Sequence, residues 1–70
     1  MRVYKPNYSN SKVRGYDILP FSVNIHCKDG TIHVYNVTDL GEERLAMIKA
    51  LTLSGANLDA LISGQYSFIV

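Results

Sequence analysis

The chain has 70 residues, of which 47% are hydrophobic, and a formal net charge of +1. This length predicts one domain whose core supplies only about 3–5 kcal/mol of net stability, so we expect a homo-oligomer. No stretch is apolar enough for a signal peptide or a membrane span, and a single cysteine excludes an internal disulfide. We therefore expect a cytoplasmic protein without membrane contact.

Residues 1–11 have the composition of a basic, tyrosine-containing N-terminal arm, and residues 12–70 are predicted to form a single domain. The first 16 residues carry a charge of +4 and no carboxylate, whereas residues 17–70 carry a charge of −3. The four cations of this first part are Arg2, Lys5, Lys12 and Arg14. Val3 and Tyr4 are compatible with a short edge strand that Pro6 ends. The charge asymmetry assigns any affinity for anions to the N-terminal part.

A first strand of about seven residues is predicted from Lys12 onward. Its end is set by Leu19-Pro20, because a residue before proline favours extended or turn geometry. Gly15 lies inside this strand, which indicates a β-bulge or a close approach of another backbone segment.

Residues 21–37 alternate apolar and polar side chains on both sides of Asp29-Gly30, a dipeptide that favours a two-residue turn. The pattern predicts a β-hairpin in which His26 faces His33 and Ile25 faces Val34. The predicted apolar face consists of Phe21, Val23, Ile25, Cys27, Ile32 and Val34. The predicted polar face consists of Ser22, Asn24, His26, Lys28, Thr31, His33 and Tyr35. Because a lone hairpin is marginal in water, other elements must cover the apolar face.

After Val37 the apolar spacing changes from two to about 3.6 residues, which predicts a helix that begins at an Asp39 N-cap and ends at Gly55. Its predicted inward side chains are Leu40, Leu45, Met47, Ile48 and Leu51, with Glu42, Glu43, Lys49 and Thr52 elsewhere. Asn57 is expected to cap a second, shorter helix over residues 58–63. Residues 66–70 are rich in strand formers and are predicted to return to the sheet or to pack on another subunit.

These elements predict an α+β fold of order β-β-β-α-α-β. Its antiparallel sheet has three or four strands with a central hairpin, and one long and one short helix cover one face. The other face is then open to solvent and carries both histidines. We expect a functional site on that face or where the basic arm crosses it.

Two kinds of chemistry are compatible with the paired histidines. Two imidazoles are a possible start of a metal site, but Cys27 is predicted on the opposite face and no carboxylate completes the set, so we expect no metal or other cofactor. With Tyr35, the imidazoles instead form a surface suited to stacking on a base or hydrogen bonding to a phosphate. The alternative is a solvated histidine pair without a ligand.

The arm has the residue types of a nucleic-acid ligand site, since cations bind phosphates and tyrosine rings stack on bases. The alternative is an arm whose tyrosines pack on their own domain or on a partner subunit. No serine or cysteine stands in a motif that activates a nucleophile, and no glycine-rich phosphate loop is present. We therefore predict a protein that is not an enzyme.

Several short stretches resemble the KTSC domain, a module found alone in bacterial and phage proteins and at the C-terminus of some lysyl-tRNA synthetases. The resemblance covers about residues 11–66 and rests on residues 12–17, the hairpin, Ser54-Gly55 and Tyr66. The family's Tyr-x-Tyr after the hairpin glycine corresponds to His33-Val34-Tyr35, in which only Tyr35 matches. The resemblance implies a small α+β module with an RNA-binding role.

The leading hypothesis is a small non-catalytic module that binds RNA or a nucleotide. Its predicted ligand-binding residues are Arg2, Lys5, Tyr8, Lys12, Arg14, Tyr16, His26, His33 and Tyr35. One alternative is a phage-encoded oligomer that sequesters a nucleotide immune signal and so acts against host defence. The other is a protein–protein interaction module without a nucleic-acid role, in which the arm and the C-terminal residues add strands to a neighbouring sheet.

Overall fold

A computed structural model describes residues 1–64 and confirms the α+β fold. Its four antiparallel strands are β1 (Arg2–Val3), β2 (Val13–Ile18), β3 (Ser22–Cys27) and β4 (Ile32–Asn36), in the spatial order β1-β2-β3-β4. Three helices follow: α1 (Val37–Leu40), α2 (Glu42–Ser54) and α3 (Leu58–Ile62). The strand predicted over residues 66–70 lies outside the described residues. In the described part, every helix is too short or too polar to cross a membrane.

One face of the sheet is buried beneath the helices. Val23 and Ile25 of β3 are fully buried there and pack in one cluster with side chains of α2 and α3. The helical members of the cluster are Leu45, Ile48, Leu58 and Leu61. Cys27, predicted to lie in the core, is buried with a free thiol.

The register of the β3–β4 hairpin differs from the prediction by one residue. The loop spans residues 28–30, because the Cys27 amide donates to the Thr31 carbonyl and the Gly30 amide donates to the Cys27 carbonyl. Gly30 adopts a φ of +92°, and the Asp29 carboxylate accepts the Thr31 amide at 2.9 Å. This is the geometry of a three-residue loop that ends in a glycine of positive φ, which the Asp29-Gly30 dipeptide also permits.

The one-residue shift places every side chain of β4 on the opposite face from the predicted one. His26 pairs with Ile32, and Ile25 pairs with His33. His33 and Tyr35 therefore lie on the helix-covered face, where Tyr35 packs against the core. Ile32 and Val34 are 52% and 58% exposed on the uncovered side of the sheet, which we call the open face. The prediction of a shared histidine surface is wrong, because His26 and His33 lie on opposite faces.

The helical region also departs from the prediction in detail. Asn36 rather than Asp39 caps the first helix, by accepting the Asp39 amide at 2.9 Å, and Gly41 at a φ of +86° separates α1 from α2. Met47, predicted inward, is 46% exposed. Thr52, predicted outside the apolar arc, is buried and its hydroxyl donates to the Ile48 carbonyl at 2.8 Å. The predicted helix end at Gly55 and the Asn57 cap are confirmed.

The first residues are packed on the domain rather than extended away from it. Val3 pairs with Gly15 in the β1–β2 ladder, and the Tyr4 amide donates to the Arg14 carbonyl at 3.2 Å. Tyr4 is buried in the core, and the Asn7 amide donates to the Gly55 carbonyl at 2.9 Å. Of the two interpretations of the arm, the structure supports the one in which its tyrosines pack on their own domain.

Candidate functional site

The four predicted cations are all exposed and are brought together by β1 and β2. Arg2 lies opposite Tyr16 in the ladder, and the hydrogen bond between Tyr4 and Arg14 extends this pairing by one residue. Lys5 is the next residue after Tyr4 in the chain, and Lys12 immediately precedes the first residue of β2. We call this group, consisting of Arg2, Lys5, Lys12 and Arg14, the basic edge.

Two of these cations border a cleft of about 270 Å³ between β1 and the C-terminal half of α2. Its lining residues are Arg2, Val3, Lys5, Tyr16, Thr52 and Leu53. Among the described residues, no carboxylate lines this β1–α2 cleft, so its charged side chains are both positive. A phosphate group placed there would meet two cations, which are the usual protein partners of phosphate.

A glycine and a β-bulge allow β1 to lie close to β2 at this cleft. The register shifts between Val13 and Gly15, so Gly15 pairs with His26 although Val13 pairs with Cys27. A Cβ atom at Gly15 would lie only 2.5 Å from the Arg2 carbonyl oxygen. The sequence-based expectation of a bulge and a close backbone approach at this glycine is therefore confirmed on both counts.

A network of hydroxyl groups fixes the segment between β1 and β2 against the helices. The Tyr4 hydroxyl contacts the Ala56 carbonyl and lies 3.2 Å from the Tyr8 hydroxyl, which lies 3.2 Å from the Ser11 hydroxyl. Burial, assisted by the hydrogen bond with Tyr8, raises the pKa of Tyr4. The Tyr8 ring is half-buried with its centroid 6.4 Å from that of Tyr4. Tyr8 thus helps to position the cationic segment against the helices.

A second cleft, of about 430 Å³, lies between the hairpin side of the sheet and α3. It brings together Lys12 and His33, two of the predicted residues, with Asn57, Asp59, Ala60, Ile62 and Ser63. The Lys12 backbone amide donates to the Asp59 carboxylate at 2.9 Å. This β4–α3 cleft therefore combines a lysine and a histidine with a carboxylate, which makes it less selective for anions than the β1–α2 cleft.

His26 stands apart from both clefts, on the open face. Its Nε2 atom lies 2.6 Å from the Asp17 carboxylate, whose other oxygen lies 3.2 Å from the amino group of Met1. The hydrogen bond from His26, followed by that from the Met1 amino group, lowers the pKa of Asp17. His26 is thus engaged with an acidic neighbour, which weakens its suitability for a phosphate.

Two predicted stacking residues belong mainly to the core. Tyr16 is 9% exposed and packs in the central cluster. The small accessible part of its surface lines the β1–α2 cleft. Tyr35 is half-buried, and desolvation raises its pKa. On this surface, charged side chains are therefore more accessible than aromatic rings.

Metal ligation and thiol reactivity are two further chemistries that the described residues allow us to examine. Residues 1–64 contain no group of three His, Cys, Asp or Glu side chains placed to hold a metal ion. The Cys27 thiol is buried, and desolvation raises its pKa, which disfavours the reactive thiolate. The arrangement is suited to binding an anion at exposed cations.

Sequence reasoning missed Thr52 in the β1–α2 cleft and the α3 residues of the β4–α3 cleft. Thr52 follows Ile48 by four residues and Leu45 by seven, so the helical period places it on the buried face, although its polar side chain disguised this. Its hydroxyl is satisfied there by donating to the Ile48 carbonyl. Asn57 and Asp59 were recognisable as cap and first-turn residues, but their proximity to Lys12 depends on long-range packing.

Comparison with protein-family models finds no match, and comparison with curated proteins and with solved structures finds none either. The resemblance to the KTSC domain therefore rests on the residues quoted above and stays a prediction.

Proposed function

We propose that the chain is a non-catalytic module that binds RNA or a nucleotide through phosphate contacts at the basic edge, with the β1–α2 cleft as the primary phosphate site. The observation that supports this most directly is the presence of Arg2 and Lys5 on one cleft without a carboxylate among its described lining residues. Lys12 and Arg14 extend the positive surface beyond the cleft. The resemblance to the KTSC domain favours the same ligand class.

A purely structural role for the same two cations is the main competing explanation. The last turn of α2 carries no basic residue, and its Gly55 lies against the backbone of Lys5. Arg2 and Lys5 would then stabilise the negative end of the helix dipole, an effect worth about 0.3–1 kcal/mol at an exposed site. The two explanations differ in what they predict for ligand affinity, and a binding experiment separates them.

The test uses fluorescence anisotropy with a labelled single-stranded RNA of about eight nucleotides and, separately, a labelled nucleotide. The double variant Arg2→Gln/Lys5→Gln is compared with Arg44→Gln/Lys49→Gln, which removes the same charge at two positions of α2 outside both clefts. We expect the first pair to weaken binding by about tenfold or more at moderate salt, and the second by no more than about threefold. Thermal unfolding of each variant measures any loss of helix stabilisation.

Equal affinities of the two double variants for the probes would contradict the proposed site. If the unmodified chain binds neither the RNA nor the nucleotide, the proposed function is contradicted. A lower unfolding temperature of Arg2→Gln/Lys5→Gln with unchanged affinity would assign these cations to the helix dipole alone.

Two finer expectations stay predictions: that copies of the chain associate, and that the biological role is sequestration of a nucleotide signal by a phage-encoded protein.

A further inference from the structure

The β4–α3 cleft contains a carboxylate, which a site for phosphate groups alone does not need. At about 430 Å³ this cleft is larger than the β1–α2 cleft and lies within the size range of ordinary small-molecule sites. Polar residues line it from both sides: Lys12 and His33 from the sheet, and Asp59 and Ser63 from the helical region. A ligand in this cleft therefore meets hydrogen-bond acceptors as well as a cation.

Asp59 is held in place by its neighbours and still has acceptor capacity. One of its carboxylate oxygens accepts the Lys12 amide at 2.9 Å, and its own amide donates to the Tyr8 hydroxyl at 3.4 Å. A carboxylate can accept about four hydrogen bonds through its two oxygens, so the bond from Lys12 leaves most of this capacity. The residue is half-buried and lines the cleft, which places the acceptor where a ligand can reach it.

A sugar hydroxyl and a phosphate are the ligand groups that suit Asp59 and Lys12 together. A hydroxyl donates a hydrogen bond to a carboxylate, whereas a phosphate is repelled by a carboxylate and binds a lysine. In dinucleotide-binding folds of a different architecture, an acidic side chain hydrogen-bonds the ribose 2′-hydroxyl. We infer that Asp59 accepts a hydrogen bond from a ribose 2′-hydroxyl, so that the β4–α3 cleft makes the chain selective for RNA over DNA. The inference rests on the proposed function, because it assigns a second contact to the same ligand.

The basic edge connects this cleft with the β1–α2 cleft. Lys5 lines the β1–α2 cleft, and Lys12 lines the β4–α3 cleft. Their Cα atoms are at most about 25 Å apart along an extended chain, and the segment between them is not fully extended, because Asn10 has a φ of +63°. Eight nucleotides reach about 24 Å even at the rise of about 3.4 Å between stacked bases. One short RNA strand is therefore long enough to contact both clefts.

The test is fluorescence anisotropy with three labelled strands of eight nucleotides and identical bases: RNA, DNA and 2′-O-methyl RNA. DNA lacks the 2′-hydroxyl, and the methylated strand keeps the oxygen but cannot donate a hydrogen bond. For the unmodified chain, we expect RNA to bind about tenfold more tightly than either other strand, since it alone donates a hydrogen bond to the charged acceptor. These changes are made in the ligand, so they test the contact without altering the fold.

Asp59→Asn tests the protein side of the contact. Asparagine keeps the size of the side chain and an oxygen for the Lys12 amide, but it replaces one carboxylate oxygen with a donor group. The preference for RNA over the other two strands should fall to about threefold or less, mainly through weaker RNA binding. Asp39→Asn, which removes the same charge at an exposed position of α1 outside both clefts, should leave the preference unchanged.

Equal affinities of the unmodified chain for RNA and DNA would overturn the inference. So would a preference for RNA that 2′-O-methylation or Asp59→Asn leaves intact. Neither result contradicts the proposed function as long as Arg2→Gln/Lys5→Gln weakens the binding of both strands. Failure of the unmodified chain to bind any of the three strands or the nucleotide would instead contradict the proposed function and this inference together.

Discussion

Among single residues, Asp17 is the clearest source of pH dependence, because its two carboxylate oxygens contact His26 and the Met1 amino group. Its pKa is lower in the folded chain than the ordinary value of about 3.9. A carboxylate of this kind stabilises the fold above its unfolded pKa, and the contribution is lost as the pH falls through the folded pKa. The stabilisation by Asp17 should therefore be complete at neutral pH, begin to decline near pH 4 and be lost once the pH is below the lowered folded pKa.

Asp17→Asn tests this expectation by urea unfolding at several pH values. The variant should be less stable than the unmodified chain at pH 7, and the difference in unfolding free energy should shrink as the pH falls below about 4. Asp39→Asn, at an exposed carboxylate of α1, provides the matched control. A difference for Asp17→Asn that stays constant between neutral and acidic pH would show that the carboxylate charge is not the stabilising feature.

At the scale of elements, the packing of β1 on β2 depends on the missing side chain of Gly15. A Cβ atom there would lie 2.5 Å from the Arg2 carbonyl oxygen, and backbone cannot give way as a flexible side chain can. Gly15→Ala should therefore destabilise the chain by about 1–3 kcal/mol, mainly by displacing β1. Chemical denaturation measures the total cost, and exchange of the Tyr4 amide reports the loss of its bond to Arg14.

A shortened chain without residues 1–3 is the control for Gly15→Ala, since the opposing carbonyl is then absent. The substitution should cost much less in that background. An equal cost in both backgrounds would mean that alanine is disfavoured by the bulge itself and not by contact with β1.

The hairpin shows how far local sequence patterns predict an element. The alternation of residues 21–37 predicts both strands, and Asp29-Gly30 predicts the reversal between them. The same dipeptide permits a two-residue and a three-residue loop, and the two differ by one residue in register. The observed register places Tyr35 against the core and Val34 on the open face, so long-range packing and not the local pattern decides between the loops.

For the whole molecule, the fold was easier to predict than the site. The existence of β2, β3, β4 and the main helix, and the Gly55 and Asn57 caps, depend on near neighbours in sequence, and these predictions are confirmed. The site depends on which elements meet, and here the single-residue shift of β4 separates His26 from His33. The basic edge was recognisable from the charge of +4 in residues 1–16, and a short edge strand near Val3 was compatible with the sequence, but the cleft that β1 forms with α2 was not predictable.

The four cations of the basic edge predict how many phosphate groups of a ligand the protein contacts. For a single-stranded nucleic acid, the logarithm of the affinity falls with the logarithm of the salt concentration, with a slope of about −0.7 per phosphate contact. Contacts from all four exposed cations would give a slope near −3. Arg14 lies on the basic edge but not among the lining residues of the β1–α2 cleft. It should therefore contribute to binding of an RNA strand and hardly at all to binding of a mononucleotide.

Titration of Arg14→Gln between roughly 50 and 200 mM salt separates these ligand classes. With the labelled RNA, the slope should become less steep by about 0.7, because one phosphate contact is lost. With the labelled mononucleotide, the slope should not change, since the cleft cations Arg2 and Lys5 remain. Arg44→Gln, at an exposed position of α2 outside both clefts, is the matched control. If it changes the slope as much as Arg14→Gln does, binding follows net charge and not the basic edge.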